Sequence, residues 1–205
     1  MRKKVLSIVL TLAFVVGIVQ GSMVAHASIQ EPSSWAAESV ELAIMLDLVP
    51  QGLQNQYTQA ITRAEFATLA VMFYEFWHGE ITGRNHFSDT SNVYVQKAAY
   101  LGLVTGVGNN MFSPNTQLTR EQAATMLSRL ATSVGAPLPT QLPTFVDNSN
   151  IAQWAFNSVG QVQSAEIMGG IGGNTFSPQG PYTREQSIVT IMRLMDFIMD
   201  SIFGV

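Results

Sequence analysis

The chain has 205 residues, of which 47% are apolar and only 12% charged, with a formal net charge of −4. That length allows one or two ordinary domains or a short repeat array, and the apolar share supports a sizeable core. Cysteine is absent, which excludes disulfides and thiolate-bound metal, and the acidity argues against nucleic acid or anionic membrane as a partner.

The first predicted element is a leader. Arg2, Lys3 and Lys4 precede an apolar run, Val5 to Val19, and "AHA" at Ala25 to Ala27 offers small residues for a peptidase. This pattern reads as a signal peptide over residues 1–27, cut after Ala27. The run is shorter than the roughly 20 residues of a spanning helix, and no later stretch is long enough to span. Removing the leader leaves 7 basic residues against 14 acidic ones. The mature cations are Arg63, Arg84, Lys97, Arg120, Arg129, Arg184 and Arg193.

The mature chain repeats itself three times. The first copy (28–79) offers "SSWAAESVELAIMLDLVP" as one helix and "ITRAEFATLAVMFYEF" as a second, joined by "QGLQNQYTQ". The second copy (84–132) begins with "FSD", continues with the helical "VYVQKAAYLGLVTG", passes through "GVGNNMFSP" and ends in "LTREQAATMLSRL". A linker, 133–144, carries three prolines that rule out helix. The third copy (145–205) repeats the order with "FVD", a segment ending in "EIMGG", "GIGGNTFSP" and "YTREQ". It has about two helical turns' worth of extra residues before its glycines. The first copy lacks Phe-x-Asp and the glycine loop, as expected of an end copy that caps an array.

The second helix of every copy carries a matched stripe. Ala67, Ala70, Phe73 and Tyr74 correspond to Ala124, Leu127, Leu130 and Ala131, and to Ile188, Ile191, Leu194 and Met195. The spacing is helical with one buried face, so three such helices can pack together where no copy could bury its face alone. In each copy that helix opens on Thr-Arg-x-Glu/Gln. Thr62, Thr119 and Thr183 read as N-caps, with Glu65, Gln122 and Gln186 completing capping boxes. The arginine is left over, because a helix N-terminus is already positive. A salt bridge to the adjacent Glu121 or Glu185 is a poor account, since helix neighbours do not face each other. An anion site is the better one: free amides, the dipole and a guanidinium fork would converge there, beside a glycine loop whose amides can approach a ligand.

The order Phe-x-Asp, apolar helix, Gly-x-Gly, Phe-Ser-Pro, Thr-Arg-x-Glu/Gln, apolar helix resembles the S-layer homology (SLH) repeat. The resemblance covers essentially the whole mature chain and is strongest in copies two and three. It implies an all-α fold of three helix–loop–helix SLH-type repeats in a pseudo-three-fold bundle, with the second helices central and grooves between neighbouring repeats. It further implies non-covalent anchoring to the cell envelope by an anionic, often pyruvylated, secondary cell-wall polysaccharide. By position it names Arg63, Arg120 and Arg184 for the carboxylate, with Asp89 and the Gly106/Gly108 loop in repeat two. Asp147 and the Gly170/Gly172 loop are their counterparts in repeat three. The missing counterparts in repeat one put the groove of Arg63 in question.

Trp154 is a candidate sugar platform, although it and Trp35 weigh more heavily as core anchors at the starts of their helices. Asp89 and Asp147 could bind sugar hydroxyls or cap the helix that follows. His78 and His86 match no metal-ligand spacing, the glycine loops lack the Lys-Ser/Thr of nucleotide loops, and Gly-x-Ser-x-Gly is absent. No cofactor and no catalysis are expected. The alternatives are an accessory of an exported glycan-processing enzyme and a protein-interaction module with a separate envelope partner. The tail, Met195 to Val205, could dock on the bundle or meet that partner.

Overall fold

The computed structural model describes residues 30–203; the leader and its cleavage site after Ala27 lie outside the described residues. Six α-helices follow one another: α1 (Ala37–Met45), α2 (Arg63–His78), α3 (Val93–Tyr100), α4 (Arg120–Ser133), α5 (Phe156–Ser164) and α6 (Arg184–Phe203). Two 3-10 turns, Gln51–Leu53 and Asn148–Asn150, sit in the connections.

The three long helices, α2, α4 and α6, each touch the other two. The matched stripes face inward: all twelve positions are buried except Tyr74, which is half-buried and stacks on His78. The buried stripes combine small residues (Ala67, Ala70, Ala124, Ala131) with larger ones (Phe73, Leu127, Leu130, Ile188, Ile191, Leu194). A close-packed centre follows from that mixture of volumes. Of the apolar tail, Met195 and Ile198 of α6 are buried, while Ile202 is exposed.

Each short helix packs on the long helix of the copy before it. α3 lies on α2, α5 lies on α4, and α1 closes the circle by lying on α6. A sequence repeat is therefore not a folding unit, because its two helices find their main partners in different neighbours. The same cyclic exchange holds at the lead-ins to the long helices. The Ile61 amide donates to the Tyr182 carbonyl and the Leu118 amide to the Ile61 carbonyl. Bridges pair Ala60 with Thr183, Thr62 with Gln117 and Thr119 with Pro181. Ile61, Leu118 and Tyr182 are all essentially inaccessible there.

The extra residues of the third copy do not lengthen a helix. α5 has 9 residues against 8 in α3. They form instead the turn Asn148–Asn150 and a lead-in containing Trp154, much as Ser33 to Ala36 lead into α1 with Trp35. The Pro-rich linker is packed rather than loose. Leu138 is buried, and the chain crosses α5 so closely at Gly160 that a Cβ there would stand 1.9 Å from the Gln141 carbonyl oxygen.

Candidate functional site

Every residue of the Thr-Arg-Glu-Gln tetrapeptide has a partner. Thr62, Thr119 and Thr183 accept the amide three residues on, and Glu65, Gln122 and Gln186 reach back to the threonine amide at 2.8, 3.2 and 3.1 Å. The acid after the arginine is a staple between copies. Glu121 accepts the Ala152 amide and the side-chain amide of Gln179, and Glu185 accepts the amide and hydroxyl of Ser33 at 2.9 Å. Both carboxylates are buried. The first copy has Ala64 at this place and so no staple.

The helix amides are spent inside the protein, which corrects the expectation that they are free for an anion. Arg63 and Ala64 donate to the carbonyls of Thr116 and Pro114 at 2.9 and 3.0 Å. Arg120 and Glu121 donate to Gly180 and Pro178, and Arg184 and Glu185 to Gln59 and Tyr57. With the third amide taken by the threonine cap, the first turn has no N–H left to offer. In each case the acceptors belong to the loop of the next copy.

The arginine side chains reach across the same seam. Arg63 donates from Nε to the Phe112 carbonyl and from Nη2 to the Thr105 carbonyl, both at 2.9 Å, with its guanidinium 4.5 Å over the Phe112 ring. Arg120 repeats this with Phe176 at 2.7 Å and Gly169 at 2.6 Å, 4.8 Å over the Phe176 ring. Each fork keeps Nη1 without a protein partner among the described residues, and neither Nη1 is buried. Burial lowers both guanidinium pKa values, against the opposing pull of Asp89 on Arg63 and of Tyr182 and Asp147 on Arg120. Both stay charged at any working pH, since arginine starts so high. Arg184 differs: Nη2 is paired with Glu65 at 2.5 Å, Nη1 meets Asn55 and Gln56, and Nε is buried without a partner.

Asp89 and Asp147 shape the loops. Asp89 takes the Phe112 and Ser113 amides on its two oxygens at 2.8 and 2.7 Å, and Asp147 takes those of Phe176 and Ser177 at the same distances. The Phe112 amide is the main cause that holds Asp89 below the usual carboxylate pKa, outweighing burial. For Asp147 burial pulls upward most strongly, yet the amides of Phe176 and Ser177 and the nearby Arg120 together leave it lowered. The following helices are not capped by these aspartates: Asn92 caps α3, and α5 has no side-chain cap.

Two grooves open beside these two arginines. The first, about 230 Å³, runs between Arg63, the Thr105–Gly106 loop, Gln122 and Met126 of α4, and Trp154. The second, about 450 Å³, runs between Arg120, the Gly169–Gly170 loop, Gln186 and Thr190 of α6, and Trp35. They match position by position, and each is built from all three copies. Trp154 and Trp35 are 57% and 56% exposed, so neither is a core anchor; Trp35 belongs with Trp154 as a groove residue. Gly106 and Gly170 line the grooves, whereas Gly108 and Gly172 turn the loop at φ of 106° and 127°. Sequence reasoning missed Arg129 and Arg193, which line the first and second grooves. The signal was their shared register, nine positions after Arg120 and Arg184. Among the described residues no group of three His, Cys, Asp or Glu is placed to hold a metal ion, and no helix is long and apolar enough to cross a membrane.

Such a molecule is a pseudo-three-fold helical module with polar, cationic grooves at two of its seams. The profile of the S-layer homology domain matches residues 86–124 and 144–186, the second and third copies. The chain belongs to the S-layer homology domain family. It is 27% identical over 172 residues to "Exoglucanase XynX" of Acetivibrio thermocellus, covering 80% of this chain and 16% of that protein. It is 33% identical over 144 residues to "Endoglucanase" of Bacillus sp. (strain KSM-635), covering 67% and 15%. With "S-layer protein" of Bacillus thuringiensis subsp. finitimus it shares 34% over 97 residues, 47% of this chain and 11% of that one. The chain thus spans about a sixth or less of the length of these relatives. Its kinship to surface-layer proteins goes with an extracellular, cell-surface location.

Proposed function

We propose that the protein anchors non-covalently to the cell envelope by binding an anionic cell-wall polysaccharide in the grooves of Arg63 and Arg120. The reading rests on one observation above all: two equivalent grooves are each lined by a guanidinium that two carbonyls hold, with one nitrogen unspent, and by an exposed tryptophan. A fixed fork suits a carboxylate, including that of a pyruvyl ketal, and an aromatic face suits a sugar ring. Gly106 and Gly170 line the grooves where the loop folds tightly on itself: a Cβ there would stand 2.7 and 2.9 Å from the carbonyl oxygens of Met111 and Thr175. Leader removal after Ala27 and the division into copies at 28–79, 84–132 and 145–205 complete the proposal.

Arg184 has a different part. Glu65 stands where a ligand carboxylate would, Met72 replaces the second arginine, and Thr90 occupies the place of the tryptophan. Two grooves are therefore competent and the third is a closed seam, which reverses the weight first placed on Arg184 relative to Arg63.

The enzyme-accessory reading draws on the names of two relatives. The shared portion is a small fraction of those enzymes and is also found in a protein named for the surface layer, so it is better read as what they have in common than as what makes either hydrolytic.

The test is co-sedimentation of the chain from residue 28 with purified cell-wall sacculi, before and after the polysaccharide is stripped. Binding should vanish on stripping, fall at least tenfold in Arg63→Ala/Arg120→Ala, and be competed by the released polysaccharide. Undiminished binding to stripped sacculi would sink the proposal, and reducing sugar released during incubation would favour the enzyme instead.

A further inference from the structure

Arg129 and Arg193 have no task in the mechanism above. Both are exposed. Arg129 has no hydrogen-bond or ion-pair partner among the described residues, and Arg193 has only a long contact, 3.4 Å, from Nη1 to the Ile167 carbonyl. Each shares a groove with the opening arginine of the preceding copy: Arg129 with Arg63, and Arg193 with Arg120.

The distribution of charge makes this pairing informative. Seven basic residues lie in the described chain. Lys97 is bound to Glu75 at 2.6 Å, Arg184 to Glu65, and Arg84 to the carbonyls of Ile81 and Gly83 in its own linker. The remaining four are the two groove pairs. Two like charges in one small groove repel, and this costs stability unless a ligand repays it. An acidic, cation-poor chain has nevertheless put four of its seven described cations there, two by two, and none of the four is in an ion pair among the described residues. The same register in the closed seam holds Met72.

We infer that Arg129 and Arg193 form a second anion subsite in each open groove, so that the bound saccharide segment carries two separate anionic groups rather than one. The fork of Arg63 or Arg120, held by two carbonyls, fixes the first, and the exposed Arg129 or Arg193 captures the second from the neighbouring long helix. The ligand class is an acidic oligosaccharide with carboxylate or phosphate on two neighbouring units. The first groove should depend on its second arginine more, because Arg193 has Asp196 beside it in the adjoining cleft.

The inference rests on the polysaccharide reading, and one experiment separates the two. Binding of the chain from residue 28 to sacculi is measured over a range of NaCl concentrations for wild type, Arg63→Gln/Arg120→Gln, Arg129→Gln/Arg193→Gln, and Arg84→Gln as a cation outside the grooves. The second pair is exposed, so matching thermal melts will show that it leaves the fold intact. We expect Arg129→Gln/Arg193→Gln to bind at least tenfold more weakly and with a shallower salt dependence, and Arg84→Gln to bind as wild type. If binding is lost in Arg63→Gln/Arg120→Gln but unchanged in Arg129→Gln/Arg193→Gln, the second subsite falls and the anchoring function stands. Weaker binding with an unaltered salt dependence would also overturn it, since the arginines would then act by packing. If the wild type does not bind sacculi at all, the anchoring proposal falls and takes this one with it.

Discussion

Two of the three nitrogens of the Arg120 guanidinium are spent on the carbonyls of Phe176 and Gly169. A side chain so held can present its third nitrogen without paying rotamer entropy at binding. Lysine has one ammonium and cannot serve two carbonyls and a ligand together. Arg120→Lys should therefore lose stability by about 1–3 kcal/mol through an unpaired carbonyl, as well as sacculus binding; urea unfolding and co-sedimentation check the two losses separately. Asp89 and Asp147 give a pH signature. Their folded pKa values lie below the ordinary ones, so the stability they confer is present above about pH 4 and drains away as pH falls through the folded values. Melting temperatures between pH 2.5 and 7 should drop on acidification, and drop less in Asp89→Asn/Asp147→Asn, which starts lower at neutral pH. Equal acid sensitivity in the double variant would refute that role. The capping threonines were legible in the sequence because a cap is local, with donor and acceptor three residues apart. The double duty of Arg120 was not, since its carbonyl acceptors are 49 and 56 residues away. The staple at Glu121 was hidden for the same reason.

The long helices are specified by their own residues: a threonine cap, a reciprocal Glu or Gln, and an apolar stripe of fixed register. Removing one cap, as in Thr119→Ala, should cost about 1 kcal/mol, visible as a lower urea midpoint with an unchanged slope. The short helices depend on what lies over them. α5 contains Gly160, a poor helix former, because the linker backbone passes where a side chain would stand. Gly160→Ala should destabilise by about 1–3 kcal/mol even though alanine is the better helix former. A stabilised variant would show that the linker lies elsewhere. Periodicity located these elements well, but could not say which long helix each short one would choose. It also took the added residues before the third glycine loop for helix length, whereas they build the turn and lead-in that put Trp154 into a groove.

At the scale of the molecule, every seam is made by two different copies and the last seam joins the first copy to the third. The core is continuous from α1 to α6, so unfolding should be a single cooperative step in which calorimetric and van't Hoff enthalpies agree. A fragment holding only copy two, 84–132, should be largely unstructured by circular dichroism, since α3 and α4 would each lack their main partner. A folded fragment would contradict the exchange of helices described above. Tyr182 sits in this closure, fully buried and touching the edge of Phe66 from the first copy. The number three follows from the exchange itself. An open solenoid keeps a free face at each end and can grow by one unit at a time. Here α1 already covers the face of α6 on which a fourth short helix would have to land. A gene that duplicates one copy thus gains no docking place for it, and enlargement of such a protein has to proceed by whole rings.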